Sequence, residues 1–206
     1  MMFGTELKIC GLSRIEDITA VNRHGADYAG FVFFEKSKRY VDPYKANELI
    51  SLLRADIRPV GVFMDEPLDN VVRIARITGV ELIQLHGHES EEYVEYVRRT
   101  LDRPVIKAYK ASEDGAIERA VQSAADYVMI DSGAGSGKKF DWSILKDFKR
   151  DYFLAGGLDP ESVGEAIRML EPFAVDVSSG VETDGIKDEE KIAKFIKAVK
   201  HGGNYV

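Results

Sequence analysis

The chain has a single cysteine in 206 residues. It can therefore form neither an internal disulfide nor a cysteine-rich metal site. It also lacks any apolar run long enough to cross a bilayer as a helix. The opening stretch, MMFGTELKIC, has neither the basic start nor the long apolar core of a secretory signal. These absences lead to the expectation of a cytoplasmic protein with no membrane partner. Basic charge is in short supply: 28 Lys and Arg stand against 35 Asp and Glu, for a formal net charge of −7. That balance argues against a nucleic-acid partner, although it leaves room for local basic sites that hold phosphate. Of the four histidines, His86 and His88 lack a third ligand at a recognisable spacing, so no metal site is expected. No linker, low-complexity tract or shift in composition divides the chain, and one domain over residues 1–206 is expected.

What is present is an alternation of short apolar runs with helical periods. Residues 7–11, 28–34, 60–64, 81–85, 104–109, 127–130, 152–155 and 173–177 read as strands. Most are apolar on both faces, as strands of a covered parallel sheet are. Ser13 and Glu16 have capping-box spacing before a first helix. Pro43, Pro67 and Pro160 stand at helix starts. Ala116, Ile117, Ala120 and Val121 stripe a fifth helix, and Ile192, Phe195, Ile196 and Val199 stripe the last. Eight strand–helix units match the count that closes a (β/α)8 barrel, a single α/β domain. The alternative, an open doubly wound sheet, normally carries a glycine-rich nucleotide loop after strand one, and none follows here.

In such a barrel the C-terminal strand ends share one face, and chemistry collects there. The residues at those ends are Cys10, Arg39, Asp65, His86, Lys107, Asp131, the pair Gly156 and Gly157, and Ser178, Ser179 and Gly180. Asp131 ends the sixth strand before a loop carrying Gly133, Gly135 and Gly137. A carboxylate there is costly unless it is paired or functional. Glycines and hydroxyls after strands seven and eight suit a phosphate. A lone cysteine is usually a small buried hydrophobe. At a strand end it can instead serve as a thiolate that takes a proton, with Asp131 as the matching acid, an arrangement suited to an isomerase. Arg39, beside Tyr40 in a basic loop, can grip a carboxylate with two parallel bonds. Lys8 shares the face of Cys10 one layer deeper and is expected to be too far away to activate it.

Nine short segments, in order through nearly the whole chain, resemble the phosphoribosylanthranilate isomerase family of tryptophan biosynthesis. They are KICG at 8–11, GFVF at 30–33, SKRYV at 37–41, VGVF at 60–63, QLHG at 84–87, ID at 130–131, GSG with FDW at 135–142, AGGL at 155–158 and AVDVSSGVE at 174–182. The resemblance implies a (β/α)8 barrel that performs an Amadori rearrangement on a phosphosugar, with no cofactor and no metal. It implies Cys10 as general base and Asp131 as general acid. Arg39 would hold the anthranilate carboxylate, with His86 and Asp176 as further substrate-binding positions. A monomer or homodimer is expected. Two other readings are a metal-dependent phosphosugar epimerase and a non-catalytic phosphometabolite-binding barrel.

Overall fold

The structure, a computed structural model, describes residues 4–132, 142–145 and 148–202. Eight parallel strands close into a barrel in sequence order: β1 (Glu6–Cys10), β2 (Tyr28–Val32), β3 (Arg58–Phe63), β4 (Leu82–Leu85), β5 (Val105–Lys110), β6 (Tyr127–Asp131), β7 (Tyr152–Ala155) and β8 (Ala174–Val177). β8 returns to β1 with Lys8 opposite Asp176, so no edge is left open. The connecting helices are α1 (Ile15–His24), α2 (Pro43–Ile50), α3 (Leu68–Thr78), α4 (Glu91–Leu101), α5 (Ala116–Gln122), α6 (Val163–Leu170) and α7 (Glu189–Gly202). Each is short and amphipathic, and each lays its apolar stripe on the barrel wall.

Two apolar layers result. The outward residues of the strands, such as Leu7, Ile9, Ile83, Ile130 and Val175, pack under the helices. The inward residues of the lower barrel, including Tyr28, Val60, Leu82, Ile106, Met129 and Phe153, fill the interior. Tyr28, Tyr127 and Phe173 meet Phe153 at ring-centroid distances of 5.4–5.8 Å and seal the lower end. Above them the inward positions turn polar: Lys8, Gln84 and Asp176 are all buried. The barrel is thus a solid apolar plug with a polar top.

Several element details differ from the sequence reading. The cap of α1 is Asp17, whose Oδ2 accepts from the Ser13 and Arg14 amides, and not the Ser13–Glu16 pair. Asp17 wins because the Arg14 guanidinium also donates to its other oxygen. β2 ends at Val32 rather than at residue 34, because the Ser37 amide bonds to Phe34 O and turns the chain. α6 starts at Val163, since Asp159 first ties the Ser162 amide in a side-chain turn after Pro160. Val121 is 53% exposed and does not belong to the buried stripe of α5. The glycines at 133, 135 and 137, with Phe140 and Asp141, lie outside the described residues.

Candidate active site

The inward positions at the top of β1 and β8 carry a buried charge cluster. Lys8 is fully buried and its Nζ donates to Asp176 Oδ1 at 2.7 Å. One layer up the same strand face, Cys10 is 8% exposed and lines a cavity of about 460 Å³. Lys8 also interacts with the Cys10 thiol, contrary to the expectation from strand spacing. The reason is reach: a lysine side chain spans a residue layer, and nothing intervenes at Gly30 on β2. A Cβ at Gly30 would lie 2.9 Å from Cys10 Sγ and 3.1 Å from Lys8 Nζ, so only glycine leaves room for this approach. Burial pushes the Cys10 thiol above its ordinary pKa, with Lys8 pulling it down and Asp176 pushing it further up. Burial alone would lower the Lys8 pKa, but Asp176 and Cys10 together raise it, so the lysine stays charged.

Asp131 faces the same cavity from the end of β6, beside His86 after β4 and Lys110 at the end of β5. His86 Nε2 lies 3.3 Å from Asp131 Oδ2. On its other side His86 Nδ1 is 2.9 Å from the amide nitrogen of Gln84. Gly156, at φ +89°, has no space for a side chain: a Cβ there would come within 2.5 Å of Asp131 Oδ1. The glycine therefore lets the β7 loop close over the carboxylate.

Arg39 lines the cavity opposite, but it does not sit in a simply solvated loop. Its Nε and Nη2 donate to the two oxygens of Glu182 at 2.7 and 2.9 Å. Glu182 opens a small hairpin, β9 (Glu182–Thr183) and β10 (Ile186–Lys187), turned at Asp184 and Gly185 with φ +53° and +79°. Two successive left-handed residues, Asp then Gly, make the tight turn that suits strand twist. The hairpin returns buried Lys187 to Glu182 at 2.5 Å, and Lys187 Nζ also donates to Ser178 O at 3.0 Å. Ser178 Oγ in turn donates to Cys10 O at 3.0 Å. Burial alone would raise the Glu182 carboxyl pKa, but Arg39 and Lys187 overcome it and hold the group below the ordinary value.

Ten of the twelve residues singled out from the sequence line this one cavity: Cys10, Arg39, His86, Asp131, Gly156, Gly157, Asp176, Ser178, Ser179 and Gly180. Asp65 and Lys107 do not. Lys107 is held by Glu89 at 3.1 Å behind the site, and Asp65 bonds to His88. A thiol with a lysine beneath it, a carboxyl, an arginine and a glycine–serine rim thus meet in one cavity, an arrangement that can move a proton.

The profile of the family described as N-(5'phosphoribosyl)anthranilate (PRA) isomerase matches residues 7–198. The chain belongs to this isomerase family. It is 42% identical over 200 residues to an N-(5'-phosphoribosyl)anthranilate isomerase of Endomicrobium trichonymphae, covering 95% of this chain and 98% of that one. The phosphoribosyl anthranilate isomerase of Thermotoga maritima superimposes with a TM-score of 0.88 at 38% identity, over 96% of this chain and 99% of that one. A further isomerase structure, a complex with reduced 1-(o-carboxyphenylamino)-1-deoxyribulose 5-phosphate, matches with a TM-score of 0.85 at 37% identity, over 96% and 99% of the two chains. The barrel, the isomerase activity and its place in tryptophan biosynthesis thus agree with what the sequence segments implied.

Four residues that line the cavity or hold its lining, Gln84, Lys110, Glu182 and Lys187, are not among those singled out from the sequence. The adjacent Asp184 and Gly185 are a standard hairpin signal and mark the turn that delivers Glu182 and Lys187. Nothing in the sequence marks Gln84, an amide among apolar strand residues, as facing a cavity. Among the described residues no helix is long and apolar enough to cross a membrane.

Proposed function

We propose that this isomerase works through Cys10 as general base and Asp131 as general acid, with Arg39 on the anthranilate carboxylate and the β7 and β8 loops on the phosphate. The observation that carries the reading is the shared cavity, with thiol and carboxyl brought to it from separate strands, β1 and β6. Asp131 protonates the furanose ring oxygen of N-(5'-phosphoribosyl)anthranilate as the C1–O bond breaks, and the anthranilate nitrogen supplies the electron pair that forms a Schiff base. Cys10 thiolate then removes the proton from C2. The electrons move through C1 to nitrogen, and the enolamine tautomerises to the ketone of 1-(2-carboxyphenylamino)-1-deoxyribulose 5-phosphate. The substrate nitrogen is the electron sink. Because burial raises the Cys10 pKa, the thiolate is the scarce form before binding, and Lys8 is the fixed positive charge that makes it attainable.

Glu182 occupies one edge of the Arg39 guanidinium and leaves three of its five N–H donors for a ligand. Arg39→Ala is expected to raise the KM for substrate about 10- to 100-fold, the scale of a lost charge-assisted bond pair, with a smaller effect on folding. The decisive comparison uses product analogues with and without the ring carboxylate. Equal loss of affinity for both would remove Arg39 from that role.

The phosphate is proposed to sit against Gly156, Gly157, Ser178, Ser179 and Gly180, where small residues let backbone N–H groups face an anion. Inorganic phosphate is then expected to inhibit competitively, and a crystal soaked in it should show density at these two loops. Density only at another loop would refute the placement. We place the reaction in the cytoplasm, because a phosphorylated, carboxylated substrate does not cross a bilayer unaided and is used where it is made.

A further inference from the structure

Gln84 is buried in the barrel interior at the floor of the active cavity, and its Oε1 is the one buried side-chain oxygen or nitrogen among the described residues with no hydrogen-bond partner. An unmet buried acceptor is costly, so its retention calls for a reason. The amide nitrogen of the same side chain sits 2.9 Å from His86 Nδ1 and 3.3 Å from Met129 Sδ. His86 Nε2 then faces Asp131 Oδ2 at 3.3 Å. The three side chains form one line: amide, imidazole, carboxyl.

We propose that Gln84 is a positioning residue whose carboxamide turns over with the protonation of the His86–Asp131 pair and so keeps Asp131 supplied as an acid. The inference rests on the reading of Asp131 as the proton donor. With Nε2 of Gln84 donating, Nδ1 of His86 must be the acceptor. The neutral ring then carries its single proton on Nε2, and Asp131 is an ionised carboxylate: one proton in the pair. Turning the carboxamide by 180° presents Oε1 to Nδ1, which must now carry a proton. The pair then holds two protons, one on Nδ1 and one between Nε2 and Asp131. That second state is the loaded acid. Donation to the substrate ring oxygen leaves one proton, on Nδ1 against Oε1. After product leaves, water resupplies the proton between Nε2 and Asp131, or takes the Nδ1 proton and protonates Nε2 so that the carboxamide turns back.

The observed orientation of Gln84 leaves Oε1 without a partner, and the turned one gives up the Nε2 contacts to His86 and Met129. The observed state is therefore not locked by a full set of bonds, and the proton count on His86 decides between the two. A fully satisfied amide at this position would fix one ring tautomer and hold the acid in one state.

Nitrogen NMR of the labelled histidines, with His86 assigned through His86→Asn, reads the ring directly. In the wild type His86 is expected to carry its proton on Nε2 at high pH and to gain Nδ1–H as the pH falls. Gln84→Glu, which accepts as a carboxylate, should keep Nδ1–H to higher pH; Gln84→Met, which offers no oxygen acceptor, should lose it at lower pH. The kcat of the methionine variant should fall about tenfold or more, increasingly as pH rises, with KM within about threefold. Among the described residues, the charged groups that line the cavity with the pair, namely Lys110 at the end of β5, Cys10 on β1, Asp176 on β8 and Arg39 after β2, are unchanged in each variant. A displaced titration in Gln84→Met therefore reports the amide, while Gln84→Glu adds a charge of its own beside Nδ1. A single Nε2–H tautomer throughout the active pH range of the wild type would overturn the proposal, as would identical His86 titration in wild type and both variants. The wild-type measurement needs no variant to fold. If instead the tautomers shift as expected while Asp131→Asn retains activity, Gln84 does control the ring but Asp131 is not the acid.

Discussion

Asp131→Asn is expected to lower kcat about 10²–10⁴-fold while leaving the fold and substrate affinity close to native. The amide keeps the shape of the carboxyl at the end of β6 but has no proton to give to the ring oxygen. General acids are typically worth that factor, or roughly 3–5 kcal/mol of barrier. Loss of the negative charge beside His86 is a local change, since the barrel wall at β6 is held by its ladder to Ala155 of β7 and Lys110 of β5. Single-turnover fluorescence of the anthranilate group separates the chemical step from binding. Near-native turnover in this variant would take Asp131 out of the mechanism.

Cys10→Ser is expected to be folded and severely impaired, losing about 10²–10⁴-fold in kcat, because a serine hydroxyl is a far poorer base than a thiolate at neutral pH. Iodoacetamide should inactivate the wild type, and a product analogue should protect it. There is no second cysteine to confuse the assignment. The sign of the pH dependence follows from the site: burial raises the thiol pKa, so the thiolate, and with it the alkylation rate, increases as pH rises through a region above the ordinary thiol value. Removing the Lys8 charge removes the largest opposing influence, so its loss should move that midpoint higher still. Lys8→Met alone leaves Asp176 buried without its partner. The Lys8→Met, Asp176→Asn double variant removes both charges and keeps the test interpretable if the single variant unfolds. Full activity after stoichiometric alkylation, or in Cys10→Ser, would return this residue to a packing role.

The sequence by itself determined the barrel and most of the rim. Eight apolar runs separated by amphipathic periods can bury their surfaces only as parallel strands with helices outside, and closing the set removes both edges. Once closed, the strand ends are forced to one face, which is why Cys10, Asp131, Gly156 and Ser178 were legible together although they lie up to 168 positions apart. Boundaries were less legible where a local bond outcompeted the pattern, as Asp17 did over Glu16 at the start of α1. The tertiary structure alone decided what each rim group faces. Strand periodicity gives the side of a residue but not the reach of its side chain, so Lys8 was placed a layer too far from Cys10 until Gly30 on the neighbouring strand opened the space. The partner of Arg39, 143 residues away on the hairpin after β8, is a matter of loop geometry that no local pattern encodes. The same holds for Gln84, whose meaning comes from a bond it makes with His86 and one that its oxygen lacks. Local sequence fixes propensity and periodicity, while electrostatic partnership depends on distances between strands that are remote in the chain.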